Sequence, residues 1–172
     1  CAVINPIAPA NRSCIASLQL NNISIINENF KKKEVIRKNF KKWFSPLFGK
    51  LVLLNLFFLP WNRFVGLYEM HLPSSFLKQS YSDIWDKEYE ILDQTCSNKI
   101  RCFKHDVNQW VIKEWQLALG RYYPRSTSIG KLFSIENMDD AKTLKKYITK
   151  QKRKMICVND HILDNDFNKI KD

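Results

Sequence analysis

Residues 51–59 read LVLLNLFFL, a nine-residue apolar run broken only by Asn55. A membrane-spanning helix needs ~20 apolar residues, so this run must be covered in some other way. The first reading is a helix buried in a core. A second arises from the segment before it. Residues 29–44, NFKKKEVIRKNFKKWF, place Ile36, Phe40, Trp43 and Phe44 on one helical face, with Lys31, Lys32, Lys33, Arg37, Lys38, Lys41 and Lys42 around the rest. Pro46 and Gly49 are expected to end that helix. It is either a solvated surface helix or a basic helix that lies on an anionic membrane face or lines a channel for acidic glycan. In the membrane version the apolar run docks shallowly on the bilayer beside it. Residues 60–63, Pro-Trp-Asn-Arg, then turn the chain onward.

The net charge of +11 calls for an anionic partner: nucleic acid, acidic lipid, a nucleotide sugar or a charged polysaccharide. No helix-turn-helix, zinc-finger or RNA-binding signature accompanies the charge, so nucleic acid is set aside. With 172 residues, 45% of them hydrophobic, the chain has material for one domain with a sizeable core. Its five cysteines are odd in number and irregularly spaced, which does not make a disulfide framework and fits a reducing cytoplasm. Cys96, Cys102 and His105 lack the paired spacing and fourth ligand of a zinc site. The triplets Asn11-Arg12-Ser13 and Asn22-Ile23-Ser24 match a glycosylation sequon but carry no meaning in that compartment. Residues 1–22, with Pro6 and Pro9, read as an extended segment and loop without the features of a signal peptide.

Residues 66–125 carry the densest chemistry. Pro73 suits a first helical turn, which leaves His71 at an element terminus where a neutral imidazole can take a proton. Ile84, Trp85, Tyr89, Ile91 and Leu92 recur at helical spacing over residues 82–94, with Ser82 as a cap. This helix is expected to deliver residues 95–101 as a loop beside His71. Arg101 lies thirty residues after it (101 − 71 = 30) and offers a planar fork of donors for phosphate oxygens. A base beside a phosphate clamp is what phosphoryl transfer needs. Val107, Trp110, Val111, Trp115, Ala118 and Leu119 then form a stripe read as core, with Gly120 as the stop. Asp106 is read either as the cap of that helix or as a site acid. His105 and His161 are read as structural.

Residues 126–150 read as a polar connection, a short strand over 132–135 and a helix over 139–148. Residues 155–158, MICV, suit a strand buried on both faces, ending abruptly in Asn159-Asp160. The carboxyl end of a central strand is where α/β folds open a crevice, and Mg²⁺ takes oxygen donors. Asp160, with Asn159, is thus the metal candidate, against the alternative of a plain turn. Asp164 and Asp166 lack the rest of an EF-hand loop and read as surface acids.

His71-Leu72-Pro73, the helix after it and residues 95–101, TCSNKIR, resemble the third conserved region of the Stealth family of sugar-phosphate transferases. Residues 154–160, KMICVND, resemble its fourth region. The family includes bacterial capsular polysaccharide phosphotransferases and the animal N-acetylglucosamine-1-phosphotransferase. The resemblance covers residues 66–125 and 150–163. It implies transfer of a sugar-1-phosphate from a nucleotide-sugar donor to a hydroxyl of a polysaccharide acceptor, with Mg²⁺ or Mn²⁺. It implies His71 as base, Arg101 as phosphate clamp, Asp106 near the site, and Asp160 with Asn159 at the metal. The implied fold is α/β, this chain being a mostly helical C-terminal portion of a Rossmann-like domain. The divisions are a connecting segment (1–65), the His/Arg region (66–125), a connection with a helix (126–149) and the strand with Asn-Asp (150–172). The family's earlier Asn-Asp-Asp segment is missing and the first residue is Cys1, so the chain is expected to be part of a longer polypeptide and inactive alone. The implied place is the bacterial cytoplasm, with peripheral contact at the inner membrane. Two rivals are a basic glycan- or membrane-binding module without chemistry and an ordinary glycosyltransferase releasing a nucleoside diphosphate.

Overall fold

The computed structural model describes residues 1–7 and 14–160; for Cys14 and Asp160 it describes the backbone alone. The readings made for Pro9, Asn11, His161, Asp164 and Asp166 lie outside those residues. Eight helices and a parallel strand pair make up the described chain: α1 Cys14–Asn29, α2 Lys32–Lys38, α3 Phe40–Trp43, α4 Val52–Phe57, α5 Lys78–Lys87, α6 Tyr89–Ser97, α7 Trp110–Ala118, β1 Gly130–Ile135, α8 Met138–Thr149 and β2 Met155–Asp160. The chain divides into two units, one of Cys1–Glu69 with Ser74–Arg125, the other of Met70–Pro73 with the residues from Ser126 onward.

The first unit is helical, and α1 is its spine. Its sequence, rich in asparagine and β-branched isoleucine, has little intrinsic helix propensity, so tertiary contacts have to hold it. Leu18, Ile23, Ile25 and Ile26 are buried. The asparagines hold other parts of the unit. Asn21 Nδ2 donates to the carbonyl of Asp106 at 2.8 Å, and Asn22 Nδ2 donates to Asn108 Oδ1 at 2.8 Å. Asn27 exchanges two hydrogen bonds with the backbone of Phe64, at 2.9 and 2.8 Å. The extended reading of the segment up to residue 22 therefore fails from Cys14 onward. Those side chains satisfy loop backbone instead of competing with the helix.

Two helices expected to be continuous are broken. The basic segment is α2 and α3, interrupted at Asn39 (φ −122°, ψ 29°), and the segment after His71 is α5 and α6, interrupted at Glu88 (φ −124°, ψ 35°). Helix α5 begins at Lys78, so Pro73 is not in its first turn and Ser82 is not its cap. Past each break the first aromatic, Phe40 or Tyr89, stays exposed and a later residue, Trp43 or Leu92, is buried. Val35, Ile36 and Trp43 are buried, while Phe40 is exposed.

The apolar run meets the expectation only in part: Leu51, Val52, Leu54 and Phe58 pack against the core. A 3₁₀ turn, Pro46–Leu51, leads into α4, and the fully buried residue of α4 is Asn55. Its Oδ1 accepts from the Ile4 amide at 2.7 Å; its Nδ2 donates to the carbonyls of Ala2 (2.8 Å) and Trp43 (2.6 Å). Leu53, Leu56 and Phe57 face outward, at 63, 49 and 65% exposure. Lys32, expected among the solvated cations, is fully buried beside the end of this helix. Its ammonium donates to the carbonyls of Phe58 and Trp61, groups a helix end leaves open, and burial, with Lys33 adding to it, pushes its pKa below the ordinary 10.5.

The stripe on α7 is core as expected: Val111, Ile112 and Trp115 are buried, and Trp115 meets Phe30 edge-on at 4.8 Å. Gly120 ends the turn with φ +71°, where an L side chain is strained, and a Cβ there would lie 2.0 Å from Asn39 Oδ1 and displace that side chain.

The second unit is a β-α-β arrangement. Strands β1 and β2 run parallel with Gly130 opposite Met155 and Ile135 opposite Asp160. Helix α8 joins them, its start capped by Asn137, whose Oδ1 accepts from the amides of Asp139 and Asp140, and Tyr147 packs edge-on against Phe133 at 4.8 Å. Double-faced burial of β2 is not observed: Met155, Ile156 and Cys157 are half-buried and Val158 is exposed. Among the described residues it pairs with β1 alone.

Candidate active site

Arg101 and Asp106 share one loop of the helical unit, between α6 and α7. Arg101 is exposed. Asp106 is not: it is 2% exposed, and its carboxylate accepts from Asn98 Nδ2 at 2.7 Å and from the Cys102 amide at 2.6 Å. Those bonds close the loop on either side of Arg101. Asp106 is thus a fixing point for the loop, and Asn108, whose Oδ1 accepts from the Trp110 amide at 3.0 Å, is the residue at the helix start. His105 Nε2 lies 3.6 Å from Asp106 Oδ1, and its Nδ1 lies 3.7 Å from Cys102 Sγ. No group of three metal-binding side chains forms among the described residues, and Cys1, Cys96, Cys102 and Cys157 are free.

His71, Asn159 and Asp160 belong to the strand unit. His71 is exposed and Leu72 buried. Leu72 packs on Gly130, where an added Cβ would come within 2.7 and 2.8 Å of its methyls and 2.9 Å of the Met155 carbonyl. That contact places the Met70–Pro73 segment at the start of the strand pair. Asn159, exposed, and Asp160 occupy its carboxyl end, four and five residues beyond Met155. At ~3.3 Å per residue, the offset along the strands is about 13–17 Å.

One group of charges escaped the sequence reading. Glu114 on α7 is 3% exposed, and its Oε2 and the Oε1 of Glu69 find no partner among the described residues. Burial pushes the Glu114 carboxyl well above its ordinary range; Glu69 adds to the rise and Lys113 opposes it. Burial likewise takes Lys113 down to about 8, opposed by Glu69 and Glu114, while its ammonium sits 4.1 Å from the Trp110 ring centroid. The signal was available: Glu114 falls three residues after Val111 and one before Trp115, on the stripe that faces the core.

Along nearly its whole length the chain is similar to bacterial polysaccharide phosphotransferases, its homologues by sequence. It is 36% identical over 170 residues to the capsular polysaccharide phosphotransferase WcwK of Streptococcus pneumoniae, an alignment covering 99% of this chain and 50% of that protein. Against the exopolysaccharide phosphotransferase cps2G of Lactiplantibacillus plantarum it is 32% identical over 159 residues, 92% of this chain and 45% of the relative. The receptor polysaccharide phosphotransferase WefC of Streptococcus oralis is 28% identical over 158 residues, with 91 and 46% covered. The chain thus spans about half the length of these relatives. No family model and no solved structure matches it.

Proposed function

We propose that this chain is part of a Stealth-type polysaccharide phosphotransferase, which moves a hexose-1-phosphate from a nucleotide sugar to a hydroxyl of an acceptor glycan. The observation that carries the reading is similarity over 170 residues to a capsular polysaccharide phosphotransferase, through both motif regions. In this reading the acceptor oxygen attacks phosphorus, the bond to the departing nucleoside monophosphate breaks, and the hydroxyl proton passes to His71. Arg101 holds the transferring phosphate in line, and Asp106 keeps the Arg101 loop closed. Asn159 and Asp160 offer amide and carboxylate oxygens, the donors that suit Mg²⁺ or Mn²⁺, although two residues fill only part of an octahedral shell. Bound there, the cation would neutralise charge on the donor at a point about 13–17 Å along the strands from the contact that holds the His71 segment. We assign the cytoplasm as its place, a Rossmann-like fold to the whole, and turnover to the chain together with the length its relatives carry beyond it.

The test is product analysis by phosphorus NMR on a polypeptide restored to the relatives' length, supplied with nucleotide sugar, Mg²⁺ and a capsule oligosaccharide. A new phosphodiester and released nucleoside monophosphate are expected, with turnover falling about 10²–10³-fold in Arg101→Ala and 10²–10⁴-fold in His71→Ala. Nucleoside diphosphate release instead would mean ordinary glycosyl transfer. Unchanged turnover in both variants would remove their assigned roles.

A further inference from the structure

The outward face of α4 and the turn after it form an apolar ridge that the helical unit leaves uncovered. Leu53, Leu56, Phe57 and Trp61 are 63, 49, 65 and 47% exposed, and their spacing of three, one and four residues puts them on one side. Phe57 and Trp61 stack at 5.9 Å, so the tip of the ridge is aromatic. Polar atoms do not interrupt it, because Asn55 is turned inward and spends its amide on three backbone groups.

The charge around this ridge is predominantly positive. Residues 35–68 contain six lysines and arginines and no aspartate or glutamate. Lys50 precedes α4, Arg63 follows Trp61 by two residues, and both are exposed. Lys31 and Lys33 are brought alongside as well, because Lys32 between them donates to the carbonyls of Phe58 and Trp61; Lys31 also faces Glu34 at 3.8 Å, an exposed pair that acidic headgroups would compete with. Aliphatic and aromatic side chains ringed by cations, with the acid Glu34 beside them already facing Lys31, match a surface that is apolar beneath and anionic above. That is the boundary of a bilayer containing acidic lipid, where aromatic rings and long basic side chains are favoured. No helix of the described residues is long and apolar enough to cross a membrane, so the contact would be superficial.

We infer that the α4 ridge is a docking surface for an anionic lipid bilayer, inserting Leu53, Leu56, Phe57 and Trp61 at the headgroup level while Lys31, Lys33, Lys50 and Arg63 neutralise acidic headgroups. The inference rests on exposure and charge and is independent of the catalytic reading.

The experiment is co-sedimentation of the 172-residue chain with vesicles of phosphatidylcholine, with and without phosphatidylglycerol, at low and high salt. Binding is expected on the phosphatidylglycerol vesicles, with a blue shift in tryptophan emission, and release as salt screens the charge. Each cation removed should weaken binding about five-fold. The double variant L53E/F57E should weaken it at least ten-fold; both positions are more than half exposed, so its urea midpoint should match the parent's, which shows that the fold is retained. Equal binding to phosphatidylcholine alone, or full binding by L53E/F57E, would overturn the proposal. So would sedimentation as a dimer that L53E/F57E dissociates, with no vesicle binding, since the ridge would then belong to a second copy.

Discussion

Replacing Asn55 by leucine makes residues 51–59 uninterruptedly apolar, and a hydrophobicity argument would expect a better core. The structure demands the opposite. Leucine leaves the Ile4 amide and the carbonyls of Ala2 and Trp43 without the partners they hold at 2.7, 2.8 and 2.6 Å, at a position with no access to water. Orphaning a buried backbone group costs about 1–3 kcal/mol, and carbonyls with a second lone pair fall toward the lower end, so the loss should be about 3–5 kcal/mol. Folding free energies are about 5–15 kcal/mol, which makes this a large fraction. With a urea slope of about 2 kcal/mol per molar, the midpoint should fall by about 1.5–2.5 M. Tryptophan fluorescence reads this cleanly, because all five tryptophans lie in the helical unit. The control is Leu53→Asn, at 63% exposure, which should change stability by no more than about 0.5 kcal/mol and so move the midpoint by no more than about 0.25 M. If Asn55→Leu is neutral or stabilising, the inverted orientation of α4 is wrong.

Three further outcomes follow from the same geometry. Gly130→Ala pushes a methyl against Leu72 and the Met155 carbonyl, so the strand unit should lose about 1–3 kcal/mol, seen as faster amide exchange along the β1–β2 ladder; unchanged exchange would mean Leu72 does not pack there. Asp106→Ala removes two hydrogen bonds to a buried carboxylate, so protection of the Cys102 amide should vanish and stability drop about 2–4 kcal/mol, with Asp106→Asn falling between; persistent protection would refute the loop-closing role. Between the ordinary 4.5 and its raised native value, Glu114 keeps a proton in the folded state that it releases on unfolding. Its contribution is therefore complete below 4.5 and is lost as pH rises through the native value, with a limiting slope of about 1.4 kcal/mol per pH unit. Glu114→Gln should flatten that slope. Lys113 acts in the opposite direction, between about 8 and 10.5, so a pH series of urea midpoints tells the two apart by the sign of the slope and by which variant removes it.

Residues 127–160 were legible because each boundary has a local cause, such as the Asn137 cap of α8, and the α7 stripe was legible because its apolar side chains recur at the helical period. Helix α1 was not. Its stability comes from Asp106 and Asn108, some 85 residues away, which no local propensity reports. The breaks at Asn39 and Glu88 and the burial of Lys32 have the same origin in distant partners. Asn55 is the sharpest case, since composition cannot tell that three backbone groups converge on one side chain. For the candidate site, sequence supplied the residue types and their order. The buried state of Asp106 depends on Asn98 and Cys102, and the exposed positions of His71 and Arg101 become visible only once the loops are placed.

The same long reach of α1 bears on synthesis. Asn21 leaves the ribosome 85 residues before the Asp106 carbonyl it will hold. At ~5–20 residues per second, α1 must wait about 4–17 s with Leu18, Ile23 and Ile26 uncovered. A nascent chain of this kind offers chaperones a defined, timed target, and slowing translation after α1 should lengthen that exposure in proportion.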